Sequence, residues 1–315
     1  MAAVFSPDTP LRIGTRGSPL ALVQANEVAD LLRAAHGLAQ TAVEIVPIVT
    51  TGDKEQSRPL AEIGGKGLFA VELETALNAG DIDMAVHSMK DVETVIADMF
   101  EIAAILPRED TRDAWISPVA AHPRELPQGA VVGTASLRRG AQIKAMRPDV
   151  SIINFRGNVQ TRLAKLARGE VHGTMLALAG LNRLGMADQV TCLLDAPEMI
   201  SAVGQGAIGI EVRRDATDVL AAVAALDDAT TALCVSCERA MLAELDGTCR
   251  TPIGGHAVLG ADGQVTLTAV LLAEDGSQAF RFAGTAPAAD ALAMGTEAGR
   301  RIKQDAGADF VANMA

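Results

Sequence analysis

Apolar β-branched segments alternate with amphipathic helical segments over the first two thirds of the chain, and the alternation occurs twice. Leu11-Arg12-Ile13-Gly14 reads as a strand, and Ser18-Pro19 as an N-cap followed by proline at the first helical position. A helix then runs through Leu20, Val23, Val28, Leu31 and Leu32 to a stop at Gly37. Ala42 to Val49 reads as a strand, Leu68 to Ala79 as a helix ended by Gly80, and Ile82 to Val86 as a buried strand. Phe100 to Leu106 adds a further strand, and Pro107-Arg108-Glu109-Asp110 breaks the pattern. It restarts with strands at Ala114 to Ser117 and Ala130 to Gly133, then a helix over Leu137 to Met146. Strand Ser151 to Phe155, helix Val159 to Arg168, strand Thr174 to Ala179, helix Gly180 to Met186 and a short strand at Leu193-Leu194 follow. Such alternation implies mostly parallel sheets with helices on both faces. Two such units leave a cleft between them, a common place for ligands.

The remainder differs in style. Ala202 to Ile208 is glycine-rich and reads as a hinge returning the chain to the first unit. Helical spacing dominates from Ala216 to Leu245. His256 to Phe282 reads as an antiparallel meander with turns at Asp262-Gly263 and Asp275-Gly276. A last helix from Ala288 to Gln304 closes a small α+β module.

Composition narrows the function classes. The 315 residues allow two or three domains. No apolar run reaches the ~18 residues of a spanning helix, and Met1 to Pro10 has no basic start or apolar core of a signal peptide. No membrane association and a cytoplasmic location are expected. The net charge of −12 repels nucleic acid, and seven Phe, one Trp and no Tyr offer few stacking platforms. No nucleic-acid partner is expected.

Against that acidic background the arginines stand out. Arg16, Arg138, Arg139, Arg156, Arg162 and Arg183 lie in or just after strand-to-helix turns. Helix N-termini favour anions, and arginine grips carboxylate or phosphate bidentately. The expected ligand is a small molecule with several negative charges. No G-x-x-x-x-G-K-[ST] or helix-opening G-x-G-x-x-G is present, so a nucleotide is not expected. Polar His87-Ser88-Met89-Lys90-Asp91 follows a buried strand, which is costly unless it faces a ligand or a partner. In an arginine-rich cleft Asp91 would face cationic neighbours. It would stabilise a developing cation or handle a proton. Thr50 to Gly67, with Asp53, Lys54, Glu55, Arg58 and Gly64-Gly65-Lys66-Gly67, reads either as an active-site lid or as a plain surface loop.

Four cysteines leave two readings. Cys234, Cys237, Cys249 and His256 have the composition of a Cys₃His zinc set. Yet Cys234 and Cys237 sit at i, i+3 on a helix, where core packing explains them, and no metal is expected. Cys249 is in the loop Asp246 to Gly255 beside Arg250, where a thiol is either reactive or inert.

These blocks together resemble the porphobilinogen deaminase (hydroxymethylbilane synthase) family. The resemblance is carried by Arg12 to Leu22, Gly64 to Phe69, Asp83 to Asp91, Gly133 to Arg139, Arg156 to Val159, Ala179 to Leu184, Val203 to Gly206 and the Cys249 loop. It implies two doubly wound α/β lobes similar to periplasmic binding proteins, plus a small α+β C-terminal domain. Domain 1 would be residues 1–106 plus 204–224, with a lid at 50–67; domain 2 would be 107–203 and domain 3 225–315. It implies a transferase that joins four porphobilinogen molecules head to tail with release of ammonia, then releases hydroxymethylbilane by hydrolysis. The chain would grow on a dipyrromethane cofactor held by a thioether to Cys249.

Asp91 would be the catalytic carboxylate. The cofactor would be contacted by Lys66, Ser88, Lys90, Asp91, Thr134, Ser136, Arg138, Arg139, Arg156 and Gly157. The substrate would be contacted by Arg16, Ser18, Asn158, Arg162, Arg183 and Gln205. A monomer is implied. Three positions depart from the family pattern: Glu62 where lysine is often found, Ala135 where serine is often found, and Glu93 where proline is usual. His87 is part of the resemblance, and a structural hydrogen bond is expected of it.

Overall fold

The computed structural model describes residues 5–54, 70–247 and 251–312. In chain order β1 (Leu11–Arg16) leads to α1 (Pro19–His36), whose N-cap Ser18 accepts from the Ala21 amide at 3.3 Å. β2 (Val43–Ile48), a single turn α2 (Thr51–Lys54), α3 (Val71–Ala79), β3 (Met84–Ser88) and β4 (Phe100–Ile105) follow. Next come β5 (Asp113–Ile116), β6 (Val131–Gly133), α4 (Leu137–Met146), β7 (Ser151–Ile153) and α5 (Val159–Ala167). β8 (Gly173–Ala177), α6 (Leu178–Arg183) and β9 (Cys192–Leu194) complete that run. The last third holds β10 (Ile208–Arg213), α7 (Thr217–Val223), α8 (Ala229–Glu244), β11 (Ile253–Leu259), β12 (Gln264–Leu272), β13 (Ala279–Pro287), α9 (Ala291–Ala306) and α10 (Ala308–Ala312). No single helix among the described residues is long and apolar enough to cross a membrane.

The described chain packs as two compact units. One comprises 5–54, 70–108 and 207–232; the other comprises 109–206 and 233–312. The first has a five-stranded sheet in the order β2-β1-β3-β10-β4. Leu11, Ile13, Met84, Val86, Ile208 and Ile210 pack with Val28 and Leu32 of α1 on one face. Leu73 and Leu77 of α3 cover Ile82, Ala85 and Phe100 on the other. Helices therefore lie on both faces, as the alternation predicts.

The sheet is mixed rather than mostly parallel. β10 pairs antiparallel with both β3 and β4. This strand is not among those expected from the sequence, although Ile208, Ile210 and Val212 alternate with Gly209, Glu211 and Arg213 at the period of two that marks a strand. Gly209 is required there by close approach: a Cβ at this position would collide with the Met89 sulfur. The helical run from Ala216 to Leu245 is two helices. Asp227 accepts from the Ile105 amide at 2.8 Å, and Asp228 caps α8 by accepting from the Thr231 amide at 2.7 Å.

The second unit repeats the same arrangement. Its sheet has the order β7-β6-β8-β5-β9, with β5 antiparallel to β8 and β9. Its C-terminal part is the meander β11-β12-β13, packed on α8 and α9. The meander begins at Ile253 and ends at Pro287, wider than His256 to Phe282. Cys234 and Cys237 are buried there among Met241, Leu267 and Ile302.

Candidate active site

In the first unit the candidate residues gather where β1 and β3 end. The two strands are parallel neighbours, with Gly14 opposite Ala85, so Arg16 and Ser88 finish at the same edge of the sheet. β3 passes straight into a one-turn 3-10 helix, Met89–Asp91, and the Met89 amide donates to the Ala207 carbonyl at 3.0 Å. Met89 is buried, while Asp91 turns outward. Arg16 Nη1 lies 4.0 Å from Asp91 Oδ2, and both side chains are partly open to solvent. Lys90 is half-buried on the same turn. Ser88 Oγ is held by the buried amide of Gln24, at 2.9 Å from Nε2 and 3.1 Å from Oε1. Ser18, two residues after Arg16, is the α1 cap.

Beneath this turn His87 Nε2 meets Glu211 Oε2 at 2.9 Å, both side chains being buried. The half-buried Glu74 on α3 is electrostatically linked to them. Burial pushes its carboxyl above the usual range, Glu211 adds to this, and His87 opposes it. Gln24 and Glu211 carry no motif of their own; only strand pairing and helix packing bring them to the turn.

In the second unit β7, β6 and β8 are parallel neighbours, so the turns after them share one edge. After β6, the Ser136 amide donates to Thr134 Oγ1 at 3.1 Å, and Ser136 Oγ caps α4 by accepting from the Arg139 amide at 3.4 Å. After β7, Arg156 and Gly157 precede the α5 cap Asn158, whose Oδ1 accepts from the Thr161 amide at 2.8 Å. That cap leaves the Asn158 Nδ2 group for other partners. Gly157 has φ of 126°, and a Cβ there would lie 2.7 Å from Thr161 Cγ2. Arg162 follows one turn on, and Arg183 closes α6 after β8; both are half-buried.

The six arginines do not form one open set. Arg138 and Arg139 are only 4% and 6% exposed and bind the fully buried carboxylate of Asp113. Arg183 Nη2 donates to the Gly206 carbonyl at 3.1 Å. Gln205 is 1% exposed and donates to the Thr111 carbonyl and to Asp113. The reason is topological. β5 runs antiparallel, so its first residue, Asp113, lies at the edge where the parallel strands end, opposite Ala177. Burial alone would raise the Asp113 carboxyl; the charges and hydrogen bonds of Arg138 and Arg139 outweigh this and hold it below the usual carboxylate range.

Lys66, Glu62, Cys249 and Arg250 lie outside the described residues, as does the stretch 55–67 of the expected lid. His256 Nε2 is 3.0 Å from Thr111 Oγ1.

The chemistry of the second unit's edge suits a polycarboxylate. Its side-chain donors are guanidiniums, an amide and hydroxyls, and Arg138 Nε is buried with no hydrogen-bond partner among the described residues.

Comparison with known proteins gives the family of the chain. Residues 11–221 match the family model described as porphobilinogen deaminase, dipyrromethane cofactor binding domain. Residues 232–304 match porphobilinogen deaminase, C-terminal domain. A porphobilinogen deaminase of Nitrobacter hamburgensis is 51% identical over 298 residues, covering 95% of this chain and 94% of that protein. One of Paracoccus denitrificans is 52% identical over 310 residues, covering 98% and 99%. Among solved structures, the methionine-binding protein MetQ superposes with a TM-score of 0.43 at 14% identity, over 72% of this chain and 93% of that one. With matching models over most of its length and relatives at about half identity end to end, the chain belongs to the porphobilinogen deaminase family.

Proposed function

We infer that the protein is a hydroxymethylbilane synthase that condenses four porphobilinogen molecules in sequence and releases the linear tetrapyrrole. The family match carries the activity. The observation that carries the chemistry is the contact of Arg16 with Asp91 at the shared end of β1 and β3. When bound through Cys249, dipyrromethane supplies the pyrrole carbon on which the chain is extended.

Asp91 is the catalytic carboxylate. Loss of ammonia from porphobilinogen leaves positive charge shared with a pyrrole nitrogen, and a fixed carboxylate stabilises that charge as it develops. The same oxygens take the pyrrole N–H as a hydrogen bond and handle the proton given up when the new bond forms. The buried neighbours Met89 and His87 set the direction of the turn that carries Asp91. Arg16 and Lys90 offer cationic partners to the acetate and propionate arms, and Ser88 and Ser18 offer hydroxyls.

The second unit's turns hold the acidic arms of cofactor and growing chain. Arg138, Arg139, Arg156, Thr134, Ser136, Gly157 and, in the 55–69 stretch, Lys66 are assigned to the cofactor. Arg162, Arg183 and Asn158 are assigned to added units. Gln205 is too deeply buried for open contact, so its part is to hold the turn at Gly204 to Gly206. Membership of the transferase class, a cytoplasmic location and a monomeric state belong to the same reading, as does the division at residues 106, 203 and 224.

The test is Asp91→Asn in the cofactor-loaded enzyme. The variant is expected to keep its covalent adduct and to release no ammonia from porphobilinogen; near-normal turnover would overturn the assignment.

A further inference from the structure

Asp113 collects four N–H donors on two oxygens. Oδ2 accepts from Arg138 Nη1 at 2.7 Å. Oδ1 accepts from Arg139 Nε at 3.0 Å and Nη2 at 2.7 Å, and from Gln205 Nε2 at 3.0 Å. The two guanidiniums are fixed from a second side as well. Arg138 Nη1 donates to the Ile200 carbonyl at 2.7 Å, and Arg139 Nη1 donates to the Met175 carbonyl at 3.0 Å. Among the described residues, two buried cations against one buried anion leave one positive charge in excess. The Nε of Arg138 has no hydrogen-bond partner among the described residues. Such an excess is costly in a protein interior unless an anion completes it.

We propose that Asp113 is a positioning residue for recognition of the acidic pyrrole arms, fixing Arg138 and Arg139 so that their remaining N–H edges face an arriving carboxylate. The inference rests on the reading of these two arginines as cofactor contacts. Its physical basis is preorganisation. A free arginine must be ordered when its ligand binds, whereas a guanidinium already locked by a carboxylate and a carbonyl is not reordered. Asp113 also separates two like charges that would otherwise repel across adjacent helix positions. Through Gln205 it joins the arginine turn to the glycine turn at Gly204 to Gly206.

A double-mutant cycle on kcat/KM for porphobilinogen, run with the cofactor-loaded enzyme, tests this with Asp113→Asn, Arg138→Lys and the pair. Each single change is expected to lower kcat/KM about tenfold or more, and the double variant to fall within about threefold of the weaker single variant. Losses that multiply in the double variant overturn the proposal. So does a folded Asp113→Asn within about twofold of the parent. If Asp113→Asn does not fold, Asp113→Glu takes its place in the same cycle, keeping the charge but moving it by one methylene, with the same expected and overturning results. Arg138→Lys and Arg139→Lys variants with unchanged kcat/KM and unchanged adduct mass overturn the reading of the arginines and the inference together. A loss in the arginine variants with an indifferent Asp113 variant overturns the inference alone.

Discussion

His87 Nε2 lies 2.9 Å from Glu211 Oε2, and the two side chains are 7% and 2% exposed. The pair joins β3 to β10 four residues before Asp91. Removing either partner leaves a polar group buried with its hydrogen bond unmade. His87→Ala and Glu211→Ala are each expected to destabilise the fold by about 2–4 kcal/mol, read as a lower urea midpoint. Glu211→Gln keeps an acceptor at the same place and is expected to cost less. Midpoints equal to the parent's in both alanine variants would show that the pair does not hold the turn.

Acid stability has a sign fixed by Asp113. Its folded carboxyl is held below the usual range by Arg138 and Arg139 against the effect of burial. A group with a depressed folded value contributes stability that is fully present above its unfolded value of about 4 and is lost as pH falls below it. Unfolding free energy is therefore expected to drop steeply below about pH 4, and Asp113→Asn to flatten that drop. A variant with the same acid slope as the parent would contradict this.

The Cys237 thiol is pushed up to about 12, by burial first and then by Glu238 and Cys234. It stays protonated and enclosed at neutral pH, so iodoacetamide is expected to leave Cys237 unmodified until the protein unfolds. Peptide mapping after native and denaturing treatment reads this directly; rapid native alkylation at Cys237 would contradict it.

Gly157 has a left-handed φ, and a Cβ would press on Thr161, the residue whose amide completes the Asn158 cap. Gly157→Ala is expected to cost about 1–3 kcal/mol and to weaken porphobilinogen binding through the displaced cap. A variant with unchanged thermal midpoint and KM would show the position to be tolerant.

Much of this fold was legible because local signals agreed with the tertiary ones. Ser18-Pro19 marks the start of α1 and Gly37 its end, and the apolar, β-branched residues of β2 mark it as a strand. The 3-10 turn at Met89–Asp91 was legible as polar residues at the end of a buried strand. What escaped was set by distant pairing. β10 alternates Ile208, Ile210 and Val212 with Gly209, Glu211 and Arg213 as a strand does, yet its antiparallel place, with Gly209 against Met89 and Glu211 against His87, comes only from pairing. The arginines were legible as anion-seeking groups. The burial of two of them was not, because Asp113 is an ordinary residue at a strand start until antiparallel pairing brings it to the arginine turns. Gln24 likewise reads as one polar residue on α1 until β3 places Ser88 beside it.

Intact-mass spectrometry of the denatured protein, purified from cells that supply porphobilinogen, decides whether the chain is built for this chemistry. The predicted result is a mass above that of the sequence by two linked pyrrole units, lost in Cys249→Ser. A mass equal to the bare sequence, or an adduct that persists in Cys249→Ser, would contradict it.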